Sequence, residues 1–284
     1  MKSFLLSLIT MTLALSNAQA AEKIVSTAGY ASEIVAELGK GDNLVGVDTT
    51  SIKPEAEMEK KPKIGYRRQL SAEGILSLKP DLIILAPDAG PQAVIDQIKA
   101  SGIALLHLEN KQSLEGIRDD IAQIAKTIGA ETEAKLLTEK ILADEQKLIA
   151  LRNQHSADIN ALVLIDTPTQ GVFGLGKDSA GEHFLSLLKL NNSFDAQGNK
   201  PLSREALAVS KADIILLASR NQVKEAATIA KLPQTHTQYE QLLNTQAGKK
   251  GCIFTINILD ALGFGPHTAH YAHQILSAIQ PCLK

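Results

Sequence analysis

The stretch LSAEGILSLKPDLIIL, residues 70–85, decides the fold class. Ser71 to Leu78 reads as a short helix, and Lys79-Pro80-Asp81 breaks it. Leu82-Ile83-Ile84-Leu85 is an unbroken apolar run of the kind found in parallel strands buried on both faces. The same unit returns without gaps as LSREALAVSKADIILL, residues 202–217, with seven of sixteen positions identical. Average composition gives about one or two such identities by chance. One helix–loop–strand design therefore occurs in both halves of the chain. Ser and Glu are two apart in each copy, not the three of a capping box, so capping does not explain the shared Glu73 and Glu205. A solvated partner of the helix dipole is the plain reading of each.

Upstream of the first copy, Lys23 to Ser26 reads as a strand. Ser32 is an N-cap candidate for a helix over residues 33–38, which Gly39 and Gly41 close, and Leu44 to Asp48 is the next strand. Downstream, Gln92 to Ala100 reads as a helix and Ile103 to Leu108 as a strand. Strands alternating with helices give an α/β fold with mainly parallel sheets. From Ser113 to Asn153 the strand signal stops. Ala134, Leu137, Ile141, Leu148 and Leu151 recur near helical spacing there. A helix of that length reaches roughly 30 Å and suits a stiff connection between two similar lobes. A strand follows at 160–165, then a Gly-rich loop at 166–177, helices at 179–190 and 202–209, strands at 214–218 and 252–256, and a helix at 268–279. The expected organisation is a signal peptide at 1–20, an N-terminal α/β lobe at 21–128, a connecting helix at 129–154 and a C-terminal α/β lobe at 155–284.

The leader reading rests on Lys2, the apolar run from Phe4 to Leu15 and the small-x-small site Ala18-Gln19-Ala20. Cleavage near Ala20 would release the chain into an oxidising, periplasmic compartment. There the pair Cys252 and Cys282 suits a disulfide, the alternative being two buried thiols. A net charge of −2 over 284 residues argues against a nucleic-acid partner. Aromatics are 4% of the chain and Trp is absent, so a large flat ligand must rest mainly on aliphatic side chains.

Just ahead of the first repeat copy stands Ile64-Gly65-Tyr66-Arg67-Arg68-Gln69, a turn carrying one phenol and two guanidinium groups. Together with Leu70 to Leu82 and with Asp88-Ala89-Gly90-Pro91, it resembles the periplasmic haem-binding proteins of bacterial ABC haem importers. Weaker matches lie at Glu33-Ile34-Val35 through Gly39 and at Leu262 to Pro266. These proteins belong to the helix-linked substrate-binding proteins that also carry siderophores and vitamin B12. The resemblance covers essentially the whole mature chain. It implies two lobes joined by one rigid helix, with haem b in the cleft between them. It also implies a monomer that is not an enzyme and delivers haem to an inner-membrane ABC permease dimer with its ATPase.

By the same resemblance Tyr66 is the axial ligand of ferric iron and Arg68 the charge partner beside it. The chemistry suits these types. A phenol, ordinarily losing its proton near about 10, becomes a hard anionic ligand once a trication and a guanidinium stabilise the phenolate. Tyr ligation of haem iron has precedent. Arg67 stands where the family more often has an apolar residue, and either pairs with a propionate or lies solvated at the lip. His267 stands where the family often has Arg and faces the propionates. Tyr30, on the first strand-to-helix loop, borders the cleft and stacks on the porphyrin. The loop after the strand at 160–165 begins Ile165-Asp166-Thr167-Pro168 and has no His. His183, Tyr239 and His267 itself are the other candidates in the C-terminal lobe for a second axial position, each read as surface or pocket wall before ligand, and a five-coordinate haem is expected. Glu73 and Glu205 become the permease-docking pair, one per lobe.

The alternatives are the same fold carrying a ferric siderophore or cobalamin, an exported enzyme, or a metal-ion carrier. Gly171 to Gly176 lacks the phosphate-binding Gly-x-Gly-x-x-Gly spacing. No Gly-x-Ser-x-Gly elbow or His-Glu-x-x-His site occurs, and the seven His are scattered.

Overall fold

The apolar runs and the helical stretches alternate in space as they do in sequence. The computed structural model describes residues 21–155, 158–167, 171–219, 229–231 and 240–283. The proposed leader and Tyr239 lie outside the described residues. The N-terminal half contains β1 (Ile24–Ser26), α1 (Gly29–Val35), β2 (Leu44–Val47), α2 (Glu55–Met58), α3 (Ala72–Ser77), β3 (Leu82–Leu85), α4 (Gln92–Ala100), β4 (Ala104–His107) and α5 (Leu114–Ile128). Its strands form one fully parallel sheet in the order β2-β1-β3-β4. The 22-residue α6 (Glu131–Arg152) follows, set off from α5 by left-handed Gly129.

The C-terminal half contains β5 (Asn160–Thr167), β6 (Gly171–Leu175), α7 (Ala180–Leu188), β7 (Asn191–Asn192), β8 (Asn199–Pro201), α8 (Arg204–Ala208), β9 (Ile214–Ser219) and β10 (Ile229–Lys231). It continues with α9 (Glu240–Leu243), α10 (Gln246–Lys249), β11 (Ile253–Asn257), α11 (Ile258–Leu262) and α12 (Thr268–Ile279). Its sheet runs β10-β11-β9-β5-β6-β8, with β7 also paired to β5. The centre β11-β9-β5 is parallel, and β10, β6 and β8 are antiparallel to their neighbours.

The central strands β1, β3 and β9 are buried on both faces, which is why β3 and β9 read as continuous apolar runs. In β3, Leu82 and Ile84 face one cluster while Ile83 and Leu85 face another. In β9, Ile214 and Leu216 divide from Ile215 and Leu217 in the same way. One apolar cluster is common to the two halves. It passes from Ile84 through Ile124 of α5, Leu137, Ile141 and Leu148 of α6 and Ile275 of α12 to Val163 and Leu216. The stiff connection is thus part of the core. The Cys252–Cys282 disulfide ties the approach to β11 to the turn after α12.

The two repeat copies have one structure. Ser71 Oγ accepts from Gly74 N at 3.2 Å, and Ser203 Oγ accepts from Ala206 N at 3.2 Å, so each copy opens on the same N-cap. The shared aspartates also do one job. Asp81 accepts from the backbone N–H of Glu22 (3.0 Å) and Lys23 (3.1 Å), just before β1, and Asp213 accepts from Asn160 N (3.2 Å), at the start of β5. Each carboxylate fixes the entry of the parallel strand beside its own.

Two sequence expectations need correction. Ser32 is not an N-cap. The helix begins at Gly29 because a distant loop serves its first turn, Gly29 N donating to Thr50 Oγ1 at 2.9 Å. Ser32 is buried inside α1, bonded to Ala28 O at 3.2 Å and to Ser51 Oγ at 2.8 Å. Nor is the Gly-rich segment simply a loop. Gly171–Leu175 is β6, which folds back on β5. Its glycines admit close neighbours: a Cβ on Gly174 would lie 2.7 Å from the Phe194 ring, and one on Gly176 would lie 1.8 Å from Ala196 O.

Candidate functional site

A cavity of about 580 Å³ lies between the two halves and is lined from both. Its N-terminal wall holds Gly29, Tyr30, Thr50, Lys53, Tyr66, Arg67 and Asp88, and its C-terminal wall includes Leu175, Asp178, Asp260, His267 and Tyr271. Apolar lining comes from Ile52, Ile165, Leu175, Ile258, Leu259 and Leu262. Ile52 is 42% exposed, an aliphatic side chain left open at the cavity wall.

The Tyr66 turn is mounted on its neighbours by the backbone. Gly65 sits at φ +94°, a conformation that favours glycine, and its carbonyl accepts from Thr49 N at 3.0 Å. Gln69 N closes the turn on Tyr66 O at 2.7 Å. Gly90 N donates to Arg67 O (2.8 Å), and Gly90 O accepts from Leu70 N (2.9 Å). The Asp88-Ala-Gly-Pro loop and the Tyr-Arg-Arg turn are therefore one unit, which explains why both segments carry the resemblance.

Tyr66 is half-buried, and the guanidinium over its ring is that of Arg67, 5.5 Å from the centroid. The resemblance puts Arg68 beside the phenol. In the structure Arg68 is the more open of the two, at 60% exposure against 26% for Arg67. Both bond to Asp88: Arg67 Nε to Oδ1 at 2.7 Å, Arg68 Nε to Oδ2 at 2.8 Å and Arg68 Nη2 to Oδ2 at 2.7 Å. Burial alone would raise the Asp88 carboxyl, but the two guanidiniums outweigh it and hold it below the usual carboxylate range.

Tyr30 is buried, and its hydroxyl has no hydrogen-bond partner among the described residues. Burial, with the Asp120 charge as the next cause, pushes its phenol above the ordinary value. His267 lines the cavity, but its Nε2 is 2.8 Å from Glu37 Oε1 and 4.0 Å from Glu33 Oε1, both on the N-terminal half. The sequence reading aims it at the ligand's carboxylates; here it bridges the two walls. The Glu37 hydrogen bond raises the imidazole above its ordinary value, against the effect of burial. His183 is on α7 and is not among the lining residues.

Sequence reasoning missed the other polar groups of this floor. Burial raises the Glu33 carboxyl to about 7, with His267 the main opposing influence. Lys53 pairs with Asp260, donates to Tyr271 Oη at 2.5 Å and lies 4.3 Å from that ring's centroid. The usable signal was Glu33, inside a segment that carries the resemblance. Lys53, Asp260 and Tyr271 are brought together only by folding, from positions more than two hundred residues apart. The loop presenting Lys53 is anchored by buried Asp48, which accepts from Thr50 Oγ1 (2.8 Å) and Ser51 Oγ (2.9 Å).

A model of the family described as periplasmic binding protein matches residues 24–257. The chain belongs to the periplasmic binding protein family. This periplasmic binding protein is 30% identical over 200 residues to the uncharacterised ABC transporter substrate-binding lipoprotein YvrC of Bacillus subtilis, covering 69% of this chain and 63% of YvrC. It thus spans less than two thirds of that relative. It is 27% identical to the vitamin B12-binding protein of Yersinia pestis over 81% of this chain and 79% of that one. Among solved structures, the periplasmic heme-binding protein RhuT from Roseiflexus in its apo form superposes with a TM-score of 0.82 at 27% identity, covering 93% of this chain and all of RhuT. The two-lobe, helix-linked α/β architecture of this chain matches the fold of that solved structure.

Proposed function

We propose that this periplasmic binding protein captures ferric haem b in the cavity between its lobes and delivers it to an inner-membrane ABC permease dimer with its ATPase. Export through a leader cleaved near Ala20 brings it to the periplasm, where it acts as a monomer. The observation that carries the reading is the Tyr66 turn: a half-buried phenol beneath the Arg67 guanidinium, with Arg68 in the same cavity wall and aliphatic side chains lining the rest. Tyr66 supplies the axial oxygen, and the neighbouring guanidinium charge stabilises its phenolate. The extra cation on this turn, Arg67, is the one over the ring, so its charge stabilises the phenolate, and together with the more open Arg68 it also faces the porphyrin's carboxylates. Ile52 and the aliphatic lining receive the porphyrin face. Tyr30 and His267 border the ligand, the latter through its cross-lobe bridge.

Absorption spectroscopy tests this. The purified mature chain is titrated with hemin, with and without Tyr66→Ala. A tyrosinate-to-iron charge-transfer band should appear in the wild type and vanish in the variant. A wild-type chain that takes up no hemin sinks the reading.

Cobalamin is the second reading, favoured by the 27% identity to a vitamin B12-binding protein over most of the chain. Its corrin edge carries amides where haem carries carboxylates, so it leaves a two-arginine turn without its natural counter-charge. Cyanocobalamin binding that survives Tyr66→Ala, with no hemin uptake, would select it.

A further inference from the structure

The two arginines of the Tyr66 turn are held by their inner edges. Asp88 receives Nε of Arg67 on one oxygen and Nε and Nη2 of Arg68 on the other. That leaves both Nη groups of Arg67 and Nη1 of Arg68 without a hydrogen-bond partner among the described residues. A guanidinium offers its donors in a fixed planar fork. Fixing the Nε edge therefore fixes where the remaining N–H groups point. The carboxylate is itself held. Its loop exchanges two backbone hydrogen bonds with the turn through Gly90, at 2.8 and 2.9 Å, so turn and clamp cannot drift apart. Asp88 is the only carboxylate paired with the two guanidiniums among the described residues, with the buried Asp48 charge acting on Arg67 from further off.

We infer that Asp88 is a positioning residue: it makes Arg67 and Arg68 into a preorganised receptor for one carboxylate of the bound ligand, beside the Tyr66 oxygen. This rests on the haem reading. A ferric porphyrin bound to a phenolate has no net charge at the metal, so its ionic recognition falls on the propionates. On this inference Asp88, although it lines the cavity, acts on that carboxylate through the two forks.

The test compares hemin with hemin dimethyl ester, which keeps the iron and macrocycle but lacks the carboxylates. The wild type should prefer hemin. Asp88→Asn should weaken hemin binding by roughly tenfold or more and change ester binding by less than about twofold. The Tyr66 band should persist with both probes. Equal loss for hemin and ester would mean a merely structural role and overturns the inference, as does unchanged binding. Tighter hemin binding overturns it too, since Asp88 would then be a competitor for the guanidiniums. Arg67→Gln and Arg68→Gln give a reading that does not depend on how Asp88→Asn folds: each should lower the hemin-to-ester preference, and a preference intact in both overturns the inference. No hemin uptake by the wild type sinks the haem reading and the inference together, whereas uptake without discrimination from the ester sinks the inference alone.

Discussion

At the level of single residues, the site is set by which charges burial has shifted. Glu33 faces the cavity with a carboxyl raised to about 7 against 4.5 ordinarily, chiefly by burial. A carboxyl with a raised folded value binds its proton more tightly in the native state. Its contribution is greatest at low pH and is lost as pH rises from about 4.5 to about 7. His267 acts in the same direction, its raised value making its share complete below the ordinary imidazole range and lost as pH climbs through the folded value. Glu37 opposes them: its carboxyl is lowered, first by the His267 hydrogen bond, so its share is present above the ordinary carboxylate range and lost in acid. The stability difference between wild type and Glu33→Gln should therefore fall by on the order of 2–3 kcal/mol from pH 5 to pH 8. Urea unfolding of both chains at several pH values checks this. A difference independent of pH would show that Glu33 titrates normally in the fold.

At the level of elements, the repeated helix–loop–strand unit was the most legible part of the chain. The limits of β3 and α4 and the span of α12 follow from apolar pattern and breakers: Pro80 and Pro87 bracket the short apolar run of β3, and helical spacing with Pro91, Gly102 and Pro281 at the ends marks the two helices. Ser71 was readable as an element start, whereas the reading began the second copy's helix at Leu202, one residue ahead of its cap Ser203. What the sequence hid was chemistry between distant segments. Ser32 looks like a cap until Thr50 is seen to serve the first turn of α1, and the Gly171–Gly176 segment looks like a loop until Phe194 and Ala196 are seen against it. Likewise Tyr66, Arg67 and Arg68 were visible as a cluster, but their tie to Asp88 and the Lys53–Asp260–Tyr271 group depend on tertiary contact. The shared aspartate of the repeat is a strand-entry clamp in both copies. Asp213 carries more of a load than Asp81. Besides Asn160 N it binds Lys250 Nζ and Gln246 Nε2, each at 2.8 Å, while Asp81 meets backbone N–H groups at the chain's first strand. Asp213→Ala should therefore destabilise the chain by about 2–3 kcal/mol and Asp81→Ala by about 1 kcal/mol. Equilibrium denaturation measures both, and equal costs would refute the distinction.

For the whole molecule, the decisive feature is that α6 and α12 belong to one apolar cluster with both sheets. Separating or rotating the lobes would break packed contacts along Leu137, Ile141 and Ile275, so the lobes hold their relative placement as ligand enters. Two surface points on different lobes then keep a fixed spacing. Glu73 and Glu205 are such points, each exposed on the first turn of the N-capped helix of its repeat copy, α3 or α8. The repeat gives them the same local setting, and a two-fold symmetric permease would present the same basic pocket to each. A rigid pair gains from both contacts at once, because the second forms without further loss of orientational freedom. Charge reversal at either glutamate replaces an attraction by a repulsion, with an expected cost of roughly 2–5 kcal/mol to docking. Both side chains lie outside the cavity lining, so hemin binding should be unchanged. Glu73→Lys and Glu205→Lys should each slow haem-dependent growth and lower binding to permease in reconstituted vesicles, while hemin titrations remain like the wild type. Hemin affinity lost in either variant, or uptake unaffected by both, would refute the docking assignment.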